Sequence, residues 1–194
     1  MLDVIIVFLG VILAFVFIIG GYMISSYNWF INLRQDVQNQ FSNIKTEYQR
    51  RADLFINLVE SVKAYKNFEK STLKEVIALR SGIDSELKDM PKTRAGQMKS
   101  FKKLDGLFNG IKVTFEQYPE LKAVEQFNLL FNEVRITEDR INVARTDYNG
   151  IVNDYNVAVT EFPINILAGM FNFRIESYFK NESDTDSAPK IKIE

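Results

Sequence analysis

Residues Val4 to Ile24 form an unbroken apolar run, and no further charge appears until Arg34. A hydrocarbon core about 30 Å thick is crossed by roughly 20 apolar residues in helical conformation. The run therefore reads as a membrane anchor, with Val4, Phe8, Phe15 and Ile24 facing lipid and Gly20, Gly21 and Tyr22 near one interface. A cleaved secretory signal would want a basic residue ahead of the run, a shorter apolar stretch and an A-x-A site. Here only Met1, Leu2 and Asp3 precede it. On the positive-inside count only Arg34 lies near the span, which leans toward a cytoplasmic body.

After the anchor about 170 residues remain, enough for one domain with a real core. The balance of 24 basic and 25 acidic residues lacks the concentrated positive field that phosphate backbones require, so no nucleic-acid partner is expected. The basic cluster Lys88, Lys92, Arg94, Lys99, Lys102 and Lys103 reads as an ordinary solvated face. Cysteine and histidine are absent. That removes thiol nucleophiles, Ser-His and Cys-His pairs, the usual zinc ligand sets and the Glu-x-x-His element of di-iron bundles. No catalytic, cofactor-binding or metal-binding residues are expected.

Beyond the anchor apolar residues recur at helical spacing and only four prolines interrupt them, so the body is expected to be all-α. A first helix spans about 26 to 66, carrying Phe30, Val37, Ile44, Arg51, Leu58 and Tyr65 in one column and Phe41, Tyr48, Phe55 and Val62 in its companion. Thr72 with Glu75 resembles a capping box and marks the start of a second helix ending near Met90-Pro91. A third runs from about Thr93 to Glu116, and Pro119 fits the first turn of a fourth, which reaches Glu161. That fourth helix has three apolar columns, one beginning Phe127, Val134, Ile141, which is wider than a two-stranded seam.

Two long and two shorter helices imply an antiparallel, up-down-up-down four-helix bundle over 26–162 behind an anchor at 1–25. The return of the fourth helix places segment 163–180 beside the bilayer. Its apolar residues, with Phe162, Ile166, Leu167, Phe171 and Phe173 foremost, either lie in the interface plane or cap the bundle. The polar stretch 181–194 reads as a disordered tail. With Phe30 set level with Phe162, Arg51 faces Glu138 and Glu47 faces Arg145, so each charge interrupting one apolar seam meets an opposite charge on the other. A buried polar layer of these four residues is expected, acting to fix helix register.

The chain also resembles the LemA family along nearly its whole length. The resemblance rests on Gln49-Arg50-Arg51-Ala52-Asp53-Leu54, Asn57-Leu58-Val59, Val62-Lys63-Ala64-Tyr65 and Tyr118-Pro119-Glu120-Leu121-Lys122-Ala123. It extends through Thr137-Glu138-Asp139-Arg140-Ile141-Asn142-Val143-Ala144-Arg145-Thr146-Asp147-Tyr148-Asn149, Tyr155-Asn156, Phe162-Pro163 and Tyr178-Phe179. It implies a single-pass protein of a bacterial or archaeal cell membrane, with a helical bundle and no known catalytic residue. Ile56 stands where the family usually has proline, so the first helix should be straighter here. Where this chain has Glu47 the family often shows glutamine, and tryptophan is common near Gln40 or Phe41.

Taken together, these features lead to a noncatalytic, membrane-anchored scaffold that self-associates as a homo-oligomer and organises or shapes the bilayer. An alternative is a tethered adaptor offering the Lys88–Lys103 surface or the tail to a partner protein in envelope stress or proteolysis. A carboxylate-bridged metalloenzyme using Asp53, Glu138, Asp147 and Asp154 is the remote third, since such bundles add histidine ligands.

Overall fold

The computed structural model describes residues 1–63, 70–118, 121 and 124–179. The described residues form helices and turns: α1 (Leu2–Lys63), α2 (Lys70–Lys88), α3 (Arg94–Glu116), α4 (Glu125–Thr160) and α5 (Asn165–Met170). The all-α expectation holds, and the helices fit a helical bundle.

Anchor and first bundle helix are one element, not two. The expected start near Ser26 is absent because nothing between Ile24 and Arg34 breaks a helix. Gly20 and Gly21 each cost only about 1 kcal/mol relative to alanine. Opening the backbone in apolar surroundings costs several kcal/mol per unsatisfied group. The break expected near Asn67 and the tail 181–194 lie outside the described residues.

Residues Phe41–Thr146 form one compact unit. Its helices run up, down, up and down, as the cross-helix contacts require. Tyr48 stacks on Phe101 at 4.2 Å and Phe55 on Phe108 at 4.9 Å, so α1 and α3 advance in parallel. Lys103 lies by Glu86, Leu107 by Gly82 and Leu79 by Gly110, so α2 and α3 are antiparallel. The last two contacts are reciprocal, a leucine of each helix filling the space above a glycine of the other. On α4 the descending sequence Arg145, Glu138, Phe127 meets the ascending Asp105, Lys112, Phe115 of α3.

The caps differ in part from expectation. Thr93, read in sequence only as the approximate start of α3, caps that helix by accepting the Gly96 amide. Thr72 does not cap α2, which has already begun at Lys70; its hydroxyl pairs with that of Tyr118 at 2.7 Å. Thr72 therefore lies inside the helix, where its hydroxyl makes a tertiary contact instead of a cap. Pro119 lies outside the described residues, and α4 begins only at Glu125, after a turn that buries Leu121.

The second unit comprises Met1–Gln40 with Asp147–Glu194. Its core gathers Phe30, Ala158, Ala168 and Phe173, flanked by Ile31, Leu33, Val159 and Ile164. Pro163 disfavours helical conformation in the residue before it, and α4 stops at Thr160. The short α5 closes with a Schellman motif. Asn172 takes the left-handed conformation, φ 58°, its amide bonding Gly169 O and the next amide, Phe173, bonding Ala168 O. That reversal returns Phe173 to stack on Phe30 at 4.8 Å.

Candidate functional site

Two constellations carry the chemistry, one in each unit. The first is the polar layer. Arg51 on α1 is buried and donates from Nη2 to Glu138 Oε2 at 3.2 Å, while its Nη1 lies 3.8 Å from Asp105. Its guanidinium also lies over the Phe108 ring at 4.8 Å. Asp105 on α3 accepts from the Tyr48 hydroxyl at 2.9 Å and from Arg145, which also donates to the Tyr48 oxygen. Lys112 adds a second cation 3.5 Å from Glu138.

The Glu47–Arg145 pair is corrected. Arg145 engages Asp105 and Tyr48 instead, and Glu47 is half-buried with its Oε2 enclosed and without a hydrogen-bond partner. The reason is a third helix: the expected register aligned α1 with α4 alone, whereas α3 inserts its own carboxylate between them. Asp105 was legible as an acid inside the Phe101, Leu104, Phe108, Ile111 stripe of α3. Tyr48 read simply as core.

Burial, reinforced by Asp105, raises the Tyr48 hydroxyl above its ordinary range and keeps it a neutral donor. Burial lowers Arg51, opposed by Glu138 and Asp105, yet a guanidinium stays charged. Burial also opposes the Arg145 charge, but its contacts with Tyr48 and Asp105 together outweigh that cost and raise the group. Asp105 and Glu138 thus already face cations, and the arrangement is an ion-pair network fixing three helices. Of the other acids weighed as metal ligands, Asp53 accepts from Gln49 at 3.0 Å, while Asp147 and Asp154 belong to the other unit.

The second constellation lies in the other unit, around the candidate membrane span and the segment after α4. The anchor residues Val4, Phe8, Phe15 and Ile24 are all exposed. Within the described residues α1 is the one helix long and apolar enough to cross a membrane. The segment expected beside the bilayer divides: Leu167 and Phe173 turn into the core, whereas Phe162, Ile166 and Phe171 face outward, together with Met170. Phe162 does not sit level with Phe30 in the core; it is 76% exposed, and Ala158, about one turn earlier, takes that place. Phe171 packs edge-on against Tyr27 of α1 at 4.9 Å.

Residues after Phe173 run extended along α4, held by side-chain hydrogen bonds to their backbone and by the edge-on packing of Phe179 on Tyr148 at 5.3 Å. Asn156 accepts the Glu176 amide at 2.7 Å and donates to its carbonyl at 2.9 Å. Asn149 does the same for Phe179 at 2.8 and 3.0 Å, and the Tyr148 hydroxyl donates to Ser177 O at 3.1 Å. Seven residues of helix and three of strand each advance about 10 Å, which lets the paired clamps stay in register. The repeated Tyr-Asn dipeptide at 148 and 155 was the sequence signal for this.

An exposed feature escaped the sequence reading. On the part of α4 in the first unit, Leu129, Ile136 and Val143 recur every seven residues and are 62%, 43% and 59% exposed. They form a further apolar column outside the buried Phe127–Val134–Ile141 one.

The model of the LemA family matches residues 40–193, most of the chain. The chain belongs to the LemA family. It is 31% identical to Protein LemA of Metamycoplasma hominis over 135 residues, which is 70% of this chain and 60% of that protein. It is 28% identical to Magnetosome protein MamQ 2 of Paramagnetospirillum magneticum over 191 residues, covering 85% of this chain and 68% of the relative. Magnetosome protein MamQ of Magnetospirillum gryphiswaldense is 27% identical over the same coverage. The chain thus spans about three fifths to two thirds of the length of these relatives. Family and fold together make this LemA-family chain a membrane-associated helical protein.

Proposed function

We propose that this LemA-family chain is a noncatalytic, single-pass scaffold that self-associates through α4 and organises the membrane beside its anchor. The carrying observation is the exposed column Leu129, Ile136 and Val143 on a helix whose Phe127–Val134–Ile141 column is already buried. A heptad-spaced apolar stripe left in solvent supports helix-to-helix contact between copies. The outward face of Phe162, Ile166, Met170 and Phe171 supports a second membrane contact near the anchor. The polar layer serves as a register lock, since its charges answer one another.

Sizing the detergent-extracted protein tests this reading. The wild-type chain should run as a homogeneous multimer, and Ile136→Glu with Val143→Glu should reduce it to a monomer without lowering its melting temperature by more than a few degrees. A wild-type monomer that retains a defined partner protein would overturn the scaffold in favour of an adaptor.

A further inference from the structure

Beside the span, Gly20, Met23, Ile24, Tyr27 and Phe171 line an open cleft of 420 Å³ whose walls are wholly apolar. Gly20 faces open space on this side, since a Cβ built there meets nothing within 4 Å, so a larger side chain at this position has room to extend into the cleft. Directly above, Tyr27 packs against both Phe171 and Phe173, and the Arg34 guanidinium lies 5.5 Å from the Phe173 ring. Gly20, Tyr27 and Arg34 are seven apart and share one face of α1. Arg174 follows Phe173 and spends only its Nε, on Asn172 Oδ1 at 3.1 Å, leaving its terminal nitrogens open. Among the described residues neither Arg34 nor Arg174 has a carboxylate partner.

We infer that this cleft and the two arginines above it form a binding site for one anionic phospholipid of the surrounding leaflet. An acyl chain fills the cleft, the Tyr27–Phe171 pair borders the glycerol region and the guanidiniums hold the phosphate. The order along α1, apolar, aromatic, then cationic, is that of a lipid from tail to headgroup. The cleft is continuous with the span, so the membrane itself delivers the occupant. Arginine side chains reach down to the interface while their stems stay on apolar surface, which is how Arg34 bridges the distance from its own turn of helix. Unpaired guanidinium is the group that recognises phosphate by paired hydrogen bonds. The site rests on reading Val4–Ile24 as membrane-spanning.

Native mass spectrometry of the full-length protein, released from mixed nanodiscs of equal palmitoyl-oleoyl phosphatidylglycerol and phosphatidylcholine, tests it. One phosphatidylglycerol should be retained per chain in preference to phosphatidylcholine. Arg34→Gln and Arg174→Gln should each weaken that preference about fivefold. Gly20→Leu, which fills the cleft, should abolish retention of either lipid while the helical circular dichroism is unchanged; if it misfolds, the arginine variants decide. Equal retention of the two lipids, or retention unaltered by both arginine changes, overturns the site. Lipids are counted per chain, so the result does not depend on oligomer size. Extraction of the protein by salt or alkali without detergent would instead refute the membrane span itself.

Discussion

At the residue scale the polar layer shows how three helices share charge. Tyr48 is the pivot, because it is fully buried yet bonded to both Asp105 and Arg145. Tyr48→Phe should destabilise the bundle by about 1–3 kcal/mol, measured by chemical denaturation, since it removes the Asp105 donor inside a partly buried network. The Tyr48 pKa is raised in the fold, so its contribution is complete below about pH 10, where the unfolded tyrosine titrates, and is lost as pH rises above that. Melting temperature should therefore fall on the alkaline side, and less steeply in Tyr48→Phe. Arg51→Met and Glu138→Leu should be coupled, the double variant losing less than the two singles together. The coupling belongs at the low end of about 0.5–3 kcal/mol, because Glu138 is 39% exposed and keeps Lys112. Strict additivity in a double-mutant cycle would contradict the contact.

At the element scale the short segments after α4 depend on backbone devices rather than on burial alone. Asn172 sits where φ is positive, a conformation that glycine adopts freely and β-branched residues resist. Asn172→Gly should leave the melting curve within about 0.5 kcal/mol of wild type, whereas Asn172→Val should cost about 1–3 kcal/mol and loosen Phe173 from Phe30. Asn149 and Asn156 hold residues 176–179 by paired amide contacts. Replacing both with alanine should speed hydrogen exchange at the Glu176 and Phe179 amides while leaving the α3 core amides protected. At the start of α3, Gly96 lacks room for a side chain, because a Cβ would meet Pro91 at 2.6 Å. Gly96→Ala should lower stability despite alanine's better helix propensity.

For the molecule in its membrane, Trp29 is a natural reporter, being the single tryptophan of the chain and 43% exposed. It follows the apolar run by five residues, which puts it at the interfacial level if Val4–Ile24 spans the bilayer. Brominated lipids should quench its fluorescence more effectively with bromine high on the acyl chain than near the terminal methyl. The reverse order, or quenching by aqueous acrylamide alone, would place the anchor differently.

Much was legible in sequence because it depends on periodicity and composition. The apolar run, the helical spacing and the lack of histidine and cysteine are local properties. The pairing of Arg51 with Glu138 is long-range, and it followed only from requiring the chain to double back. What failed needed a third body. A two-helix alignment cannot reveal Asp105 reaching Arg145 ahead of Glu47, or Thr72 meeting Tyr118 from inside α2. Nor can it tell that Ala158 and Phe173, rather than Phe162, close over Phe30. Spacing along one helix says which residues share a face, but only packing decides which faces are covered. That is why the buried Phe127–Val134–Ile141 column of α4 was readable in advance, while the exposed Leu129–Ile136–Val143 column emerged only when the neighbours of that helix were in place.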